Sequence, residues 1–447
     1  MSDHITTKHI NAKLLGVFYP TQYGKTNEVI KLILKRMKLD DTNGKSCHII
    51  FTQNNLLCTD QFAKRILKSF KQTYGESCVC VLSSDDKHKN QSYQHVKNGY
   101  QLNKLLINKN KQKIRPSIII HCSHPTRFDD IVEVMDTLQN KKDSKKFDTI
   151  FDRAFIYYDE AHLYLDKISE LKETCDDYSI CKGHTFITAT SSKLQNTLYE
   201  KITFMPLPER PNYCSIKDDM NFKIIDDFTP KAPKKVVSDF VSHVLTSFPD
   251  ILKKGARCFM PGKKSTDSHD EIKTEVLKHN PKAVVIVFNG NNRKLYYSEH
   301  NSNLLKPVKI EQSTVKETNE VISDIIHDNN LQDRPIIYTG YLCIKEGLTL
   351  LNSKLGTFTS AIFGHEYEPK NKTFPDTLYQ LAGRLTGNTK NWENFNTTTI
   401  YCKSEIKRLM LLQESINKEI NDKKRKASEL SESETSVKRI KSNIVST

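Results

Sequence analysis

The chain has 447 residues and 37% hydrophobic content, enough for two or three domains with cores of their own. Its formal net charge of +15 favours a polyanionic partner, nucleic acid first, although lysine-rich surfaces also serve simply to solubilise. The longest apolar runs, such as Ala283–Phe288, are strand-sized, which excludes a bilayer-spanning helix, and no C-x-x-C pair points to zinc or a disulfide scaffold.

The polar Met1–Lys13 stretch carries no apolar signal core, so the expectation is a soluble intracellular protein with no membrane partner. Leu14–Tyr19 then reads as a strand, followed by Pro20-Thr21-Gln22-Tyr23-Gly24-Lys25-Thr26 and an amphipathic run through Met37. A strand, a glycine turn and Gly-Lys-Thr opening a helix form the context a phosphate-binding loop needs, because backbone N–H groups and the helix dipole point at an anion. Lys25 would reach the β- and γ-phosphates and the Thr26 hydroxyl would sit on Mg²⁺. The full pattern wants a glycine where Tyr19 stands, so the match is partial.

Up to about residue 205, strand-like runs alternate with helical ones, the signature of a parallel sheet with crossover helices. The strand candidates are Leu14–Tyr19, His48–Thr52, Val79–Ser83, Ser117–Cys122, Phe155–Asp159 and Thr185–Thr190. The fifth closes on Asp159-Glu160-Ala161-His162. Two adjacent carboxylates cannot stay charged in a low-dielectric interior, so they meet water, a partner or a metal, and strand ends in such sheets open into the ligand crevice. The plainer reading is a strand running into an acidic helix start.

Prolines 206, 208, 211, 230 and 233 mark a linker, placed at 211–235 between a first domain of 1–210 and a second of 236–420. In the second series the strand candidates include Ala283–Phe288, Pro335–Tyr338, Thr359–Gly364 and Thr397–Cys402, with the apolar-poor Asn289–Thr318 expected as a loop insertion. A helical run, Ser404–Ile420, leads to Lys423-Lys424-Arg425-Lys426, an eleven-residue Ser/Glu-rich spacer, and Lys438-Arg439-Ile440-Lys441. Residues 421–447 are expected to be disordered. The two basic clusters read as a bipartite address for a nuclear-import receptor, or else as a tail gripping nucleic acid. The expected location is the nucleus on the first reading and the cytoplasm otherwise.

With Phe186-Ile187-Thr188-Ala189-Thr190 and Gln380-Leu381-Ala382-Gly383-Arg384 in order behind the first two motifs, the chain resembles the superfamily 2 helicases, the DEAD/DEAH-box group and relatives. The resemblance implies two tandem RecA-like parallel-sheet α/β domains with Mg²⁺-ATP between them. Gly24, Lys25 and Thr26 match motif I, Asp159 to His162 motif II, and Thr188 and Thr190 motif III; the resemblance implies that Thr21, Gln22 and Tyr23 join Gly24–Thr26 in binding the nucleotide, with Gly347 from a looser motif V. It implies that Thr26 and Asp159 hold Mg²⁺, Glu160 activates water, and Arg384 acts as an arginine finger beside Gln380. It also implies that His162, Thr188 and Thr190 couple nucleotide to strand, and that Thr52, Gln53, Thr126 and Arg127 touch the backbone of DNA or RNA, as a single strand. For Thr126 and Arg127 the alternative is a helix cap with a solvated arginine.

The departures are Tyr19 and Gln22, where the family has a small residue and a glycine, and Gly387, where a second arginine belongs. Lys390 lies nearby but lacks the planar fork. No adenine-recognising glutamine element precedes the first strand, so selectivity for ATP rests on the resemblance. The function expected is a nucleic-acid helicase or translocase driven by ATP hydrolysis. The alternatives are a motor that does not unwind and a binding module with a weakened ATPase site.

Overall fold

The computed structural model describes residues 4–40, 45–54, 56–86, 91–107, 116–143, 151–190, 202–229, 235–263, 265–289, 293–299, 304–311, 313, 316–341, 349–364, 375–416 and 418–419. Gly347 and the tail 421–447 fall outside them.

Eight strands make the first sheet: β1 (Leu14–Phe18), β2 (Ser46–Thr52), β3 (Val79–Leu82), β4 (Gln94–Val96), β5 (Ile118–Cys122), β6 (Arg153–Asp159), β7 (Cys181–Thr188) and β8 (Thr203–Phe204). They lie in the order β4-β3-β5-β2-β6-β7-β1-β8, and every pairing is parallel. Successive side chains feed opposite cores, which is why these strands read as continuous apolar runs. Val17 and Tyr157 pack with α1 (Lys25–Met37) and α2 (Leu56–Tyr74) through Val29, Ile33, Phe62 and Ile66. Ile156, Tyr158 and Phe186 pack on the other face with α3 (Gly99–Ile107), α4 (Pro125–Asp143) and α5 (Leu165–Asp176).

Downstream, β9 (Tyr213–Cys214) pairs with β17 (Gly387–Asn388) as a separate ribbon. The second sheet comprises β10 (Asn221–Ile224), β11 (Arg257–Phe259), β12 (Val284–Phe288), β13 (Arg293–Ser298), β14 (Leu305–Lys309), β15 (Ile336–Gly340), β16 (Ser360–Ile362) and β18 (Thr399–Cys402). Its order is β10-β18-β16-β11-β15-β12-β13-β14. On one face lie α6 (Val236–Ser247) and α7 (Asp267–His279); on the other lie α8 (Thr318–Asp328) and α9 (Pro375–Ala382).

Two stretches differ from expectation. Asn289–Thr318 is not merely a loop: β13 and β14 form an antiparallel extension of the second sheet. Lys306, Pro307 and Lys309 occupy its edge strand, where charge and proline discourage further pairing. The span 211–235 carries β9 and β10, and β10 is an integral edge of the second sheet through its pairing with β18. Among the described residues no helix is long and apolar enough to cross a membrane.

Candidate active site

Sheet register levels the ends of three strands. Asp159 on β6 sits beside Ile187 on β7, and Ile187 beside Val17 on β1, so all three open at the same edge. Beyond β1 the chain turns through Tyr19–Gly24 into α1, with Gly24 capping the helix at φ +90°. Gln22, at φ +55°, adopts the left-handed conformation that glycine favours. That conformation costs an ordinary residue about 1–2 kcal/mol. Glu160, directly after β6, is held the same way at φ +49°. Both line one cavity, and strain retained in this manner collects where function over-determines the backbone.

The cavity measures about 360 Å³ and lies between the two domains. Gln22, Gly24, Lys25, Thr26, Asp159 and Glu160 face it from the first, and Gln380 and Arg384 from the second. The motifs therefore converge, and electrostatics mark the place. Burial raises the Asp159 carboxyl well above the usual range, the Glu160 charge adds to this, and Lys25 and Arg65 oppose it. Burial likewise lowers the Lys25 ammonium, against the pull of Glu160 and Asp159. Among the described residues Glu160 Oε2 is buried without a hydrogen-bond partner, 3.5 Å from His162 Nδ1. A divalent cation fits this donor set, since Thr26 and Asp159 offer hard oxygen ligands and an added positive charge would favour both carboxylates. Among the described residues no group of three His, Cys, Asp or Glu is set to hold a metal alone, so phosphate and water oxygens would complete the shell.

A polar chain leaves the cavity. Gln380 Nε2, a donor, lies 3.4 Å from His162 Nε2, and His162 Nδ1 lies 2.8 Å from Thr188 Oγ1. The amide nitrogen can only donate, so with this amide orientation His162 Nε2 accepts and the ring proton is assigned to Nδ1, donating to Thr188. The Thr190 backbone N–H in turn donates to Thr188 Oγ1 at 3.0 Å. Gln380, His162, Thr188 and Thr190 thus connect the second domain to the end of β7.

Sequence reading missed the strap that clamps the loop. Tyr19 donates to the Pro206 carbonyl at 2.8 Å, Tyr23 to Pro208 at 2.7 Å, and Tyr213 to Thr21 at 2.7 Å. The rings of Tyr23 and Tyr213 lie 4.6 Å apart, and Arg210 pairs at 2.9 Å with Glu28, a fully buried carboxylate also met by His4 and Lys31. A glutamate at a buried position of α1 was the available signal, but its partner in the strap, Arg210, lies 182 positions away. The large residue at position 19 anchors the strap. Gly387 likewise has a structural reason: its φ of +150° and its place in the ribbon with Cys214 would strain any arginine there. Lys390 does not stand in for one, because it pairs with Asp219 at 2.6 Å.

The expected strand-contacting residues fare differently. Thr52 and Gln53 are buried, and Thr52 Oγ1 is bonded to Thr59 and the His121 carbonyl, so neither side chain is turned outward to a phosphate. Thr126 is exposed in the first turn of α4. Arg127 is buried and paired with Asp130 at 2.5 Å, and Asp130 also accepts the Gly99 N–H. Thr52 and Arg127 thus have hydrogen-bond partners within the first domain.

No family model matches the chain, and neither does any curated protein. Among solved structures, the ATP-dependent Type ISP restriction-modification enzyme LlaBIII bound to DNA is 10% identical, with a TM-score of 0.53, over 91% of this chain and 28% of its own. S. cerevisiae Dbp5 bound to RNA and ADP BeF3 is 14% identical, with a TM-score of 0.46, over 93% of this chain and 89% of its own. The E. coli DExH-box NTPase HrpB is 9% identical, with a TM-score of 0.49, over 90% and 40%. At these identities likeness speaks to fold alone. The fold shared with LlaBIII is that of two α/β domains, each built on a mainly parallel sheet.

Proposed function

We propose that this protein is a nucleic-acid-dependent nucleoside triphosphatase of the helicase type, which uses Mg²⁺-ATP hydrolysis to move along or unwind a strand of DNA or RNA. One observation carries the reading: Gly24–Thr26, the Asp159–Glu160 pair and the Gln380–Arg384 helix end, far apart in sequence, line a single interdomain cavity.

Thr26 and Asp159 would hold Mg²⁺, which supplies charge neutralisation to the phosphates. Lys25 contributes the main side-chain cation to the β- and γ-phosphates, beside the N–H groups at the start of α1. Glu160, strained and with its buried Oε2 making no hydrogen bond among the described residues, orients the attacking water and accepts its proton. Arg384 adds charge to the transferring phosphoryl from across the cleft, so the full site exists only with the domains together. The Gln380–His162–Thr188 chain supports a link between closure and β7, the end from which a strand would be gripped. Formal charge of +15 supports a polyanionic partner. The test is phosphate release from ATP by the parent and by Glu160→Gln, with and without single-stranded RNA or DNA. Turnover that vanishes in the variant while nucleotide still binds is the expected result. Equal turnover in both would refute the assignment.

A further inference from the structure

One wall of the cavity is built by residues outside the motifs. Arg65 and Lys68 reach it from α2, and Glu317 closes it from the start of α8 in the second domain. Arg65 is held in a fork: Nε donates to Glu317 Oε1 at 2.9 Å and Nη2 to Oε2 at 3.0 Å. Nη2 also donates to Thr349 Oγ1 at 2.9 Å, and Gln61 supports Glu317 Oε2 at 2.9 Å. Nearby, Lys64 pairs with Asp60 and reaches the Ser313 carbonyl. One edge of the guanidinium is therefore fixed by the second domain, while Nη1 makes no hydrogen bond among the described residues.

Topology says which part of a nucleotide would meet this edge. The loop that receives phosphate follows β1, whereas α2 follows β2, and the strand order β2-β6-β7-β1 puts the acid pair of β6 between them. A phosphate chain seated on α1 and running toward Asp159 presents its terminal phosphate to the α2 side. Arg65 and Asp159 line the same cavity. A planar donor with one edge already fixed suits phosphate oxygens, because little rotamer freedom remains to be lost.

We propose that Arg65 is a positioning residue for the terminal phosphate of the nucleotide, supplied by the first domain and oriented by Glu317 of the second. Since Glu317 arrives only with closure, reading the third phosphate and joining the domains become one event. The inference rests on the nucleotide-site reading above.

The test compares the full chain's affinity for fluorescent ADP with that for a fluorescent non-hydrolysable ATP analogue, both with Mg²⁺. Arg65→Gln should lower triphosphate affinity by about tenfold to a hundredfold, the scale of a charge-assisted hydrogen bond, and leave ADP affinity within about twofold. The charge-swapped Arg65→Glu/Glu317→Arg variant rebuilds the interdomain pair but puts the wrong sign on the cavity's α2 wall. It should restore a compact scattering profile without restoring the triphosphate preference. Equal losses for both nucleotides, or recovery of the preference in the swap, would show a purely structural latch and overturn the proposal. A parent that binds neither nucleotide, or binds both regardless of Lys25→Ala, overturns the site reading itself. Lys25-dependent binding whose triphosphate preference ignores Arg65 overturns this inference alone.

Discussion

Substituting Gly383 by alanine should wedge the two domains apart. Gly383 opens the short turn after α9, and a Cβ there would overlap Oγ1 and Cβ of Thr21 and come within 2.8 Å of its Cγ2. Even the longest of these contacts is about 1 Å inside the optimum for carbon atoms. The same interface holds the Thr386 hydroxyl on the Thr21 carbonyl at 3.1 Å, so it cannot shift without losing that bond. Overpacking of this kind costs about 1–3 kcal/mol. Relief by domain separation turns that cost into a closed population about 5–150-fold smaller. Because Gln380 and Arg384 lie in the same α9 and turn, kcat/KM for ATP should fall by the same factor. Melting should hardly change, since neither domain core is touched. Steady-state phosphate release and small-angle X-ray scattering together read the effect. Thr21→Gly in the same chain deletes all three clashing atoms and should recover much of both. Parent-like turnover with parent-like compactness in Gly383→Ala would refute the reasoning, as would a loss that Thr21→Gly leaves untouched.

Other outcomes follow from the same geometry. Lys25→Ala should weaken nucleotide binding, whereas Glu160→Gln should spare binding and abolish turnover; titration calorimetry and phosphate release separate the two. Arg384→Ala should slow hydrolysis about a thousandfold or more, on the arginine-finger scale, and turnover surviving its loss would assign the transition-state charge elsewhere. In the metal-free protein the Asp159 carboxyl is raised to about 7. The fold then binds this proton more tightly than the unfolded chain does, so the group's stabilising contribution is full below the ordinary carboxylate range and is lost as pH rises toward 7. Asp159→Asn should therefore raise Tm more at pH 8 than at pH 5 relative to the parent, and an equal shift at both would contradict this.

Apolar runs exposed β1, β2, β6 and β7 in the sequence because strands covered on both faces have no polar side to hide them. Their starts were less legible. β7 begins at Cys181, four residues before the apolar run suggests, because Lys182 and Gly183 belong to the strand without adding to its hydrophobicity. The β13–β14 extension escaped for a related reason: edge strands need little apolar surface, and Lys294, Lys306 and Lys309 outweigh Leu295 in a running average. At the site, the short motifs were legible since each is local. The strap of Arg210 and Tyr213 and the Arg65–Glu317 fork were not, because each joins residues more than 180 positions apart. The inward turn of Thr52 and the pairing of Arg127 with Asp130 are equally absent from the motifs, because each depends on groups outside those short stretches.

The most direct measurement of the central claim is the rate of ATP hydrolysis by the full chain at fixed salt, titrated with single-stranded RNA and, separately, single-stranded DNA. A slow basal rate should rise and saturate with at least one of them, and Glu160→Gln should show no activity under any condition. Hydrolysis indifferent to both polymers, or no Glu160-dependent hydrolysis with either, would contradict that claim.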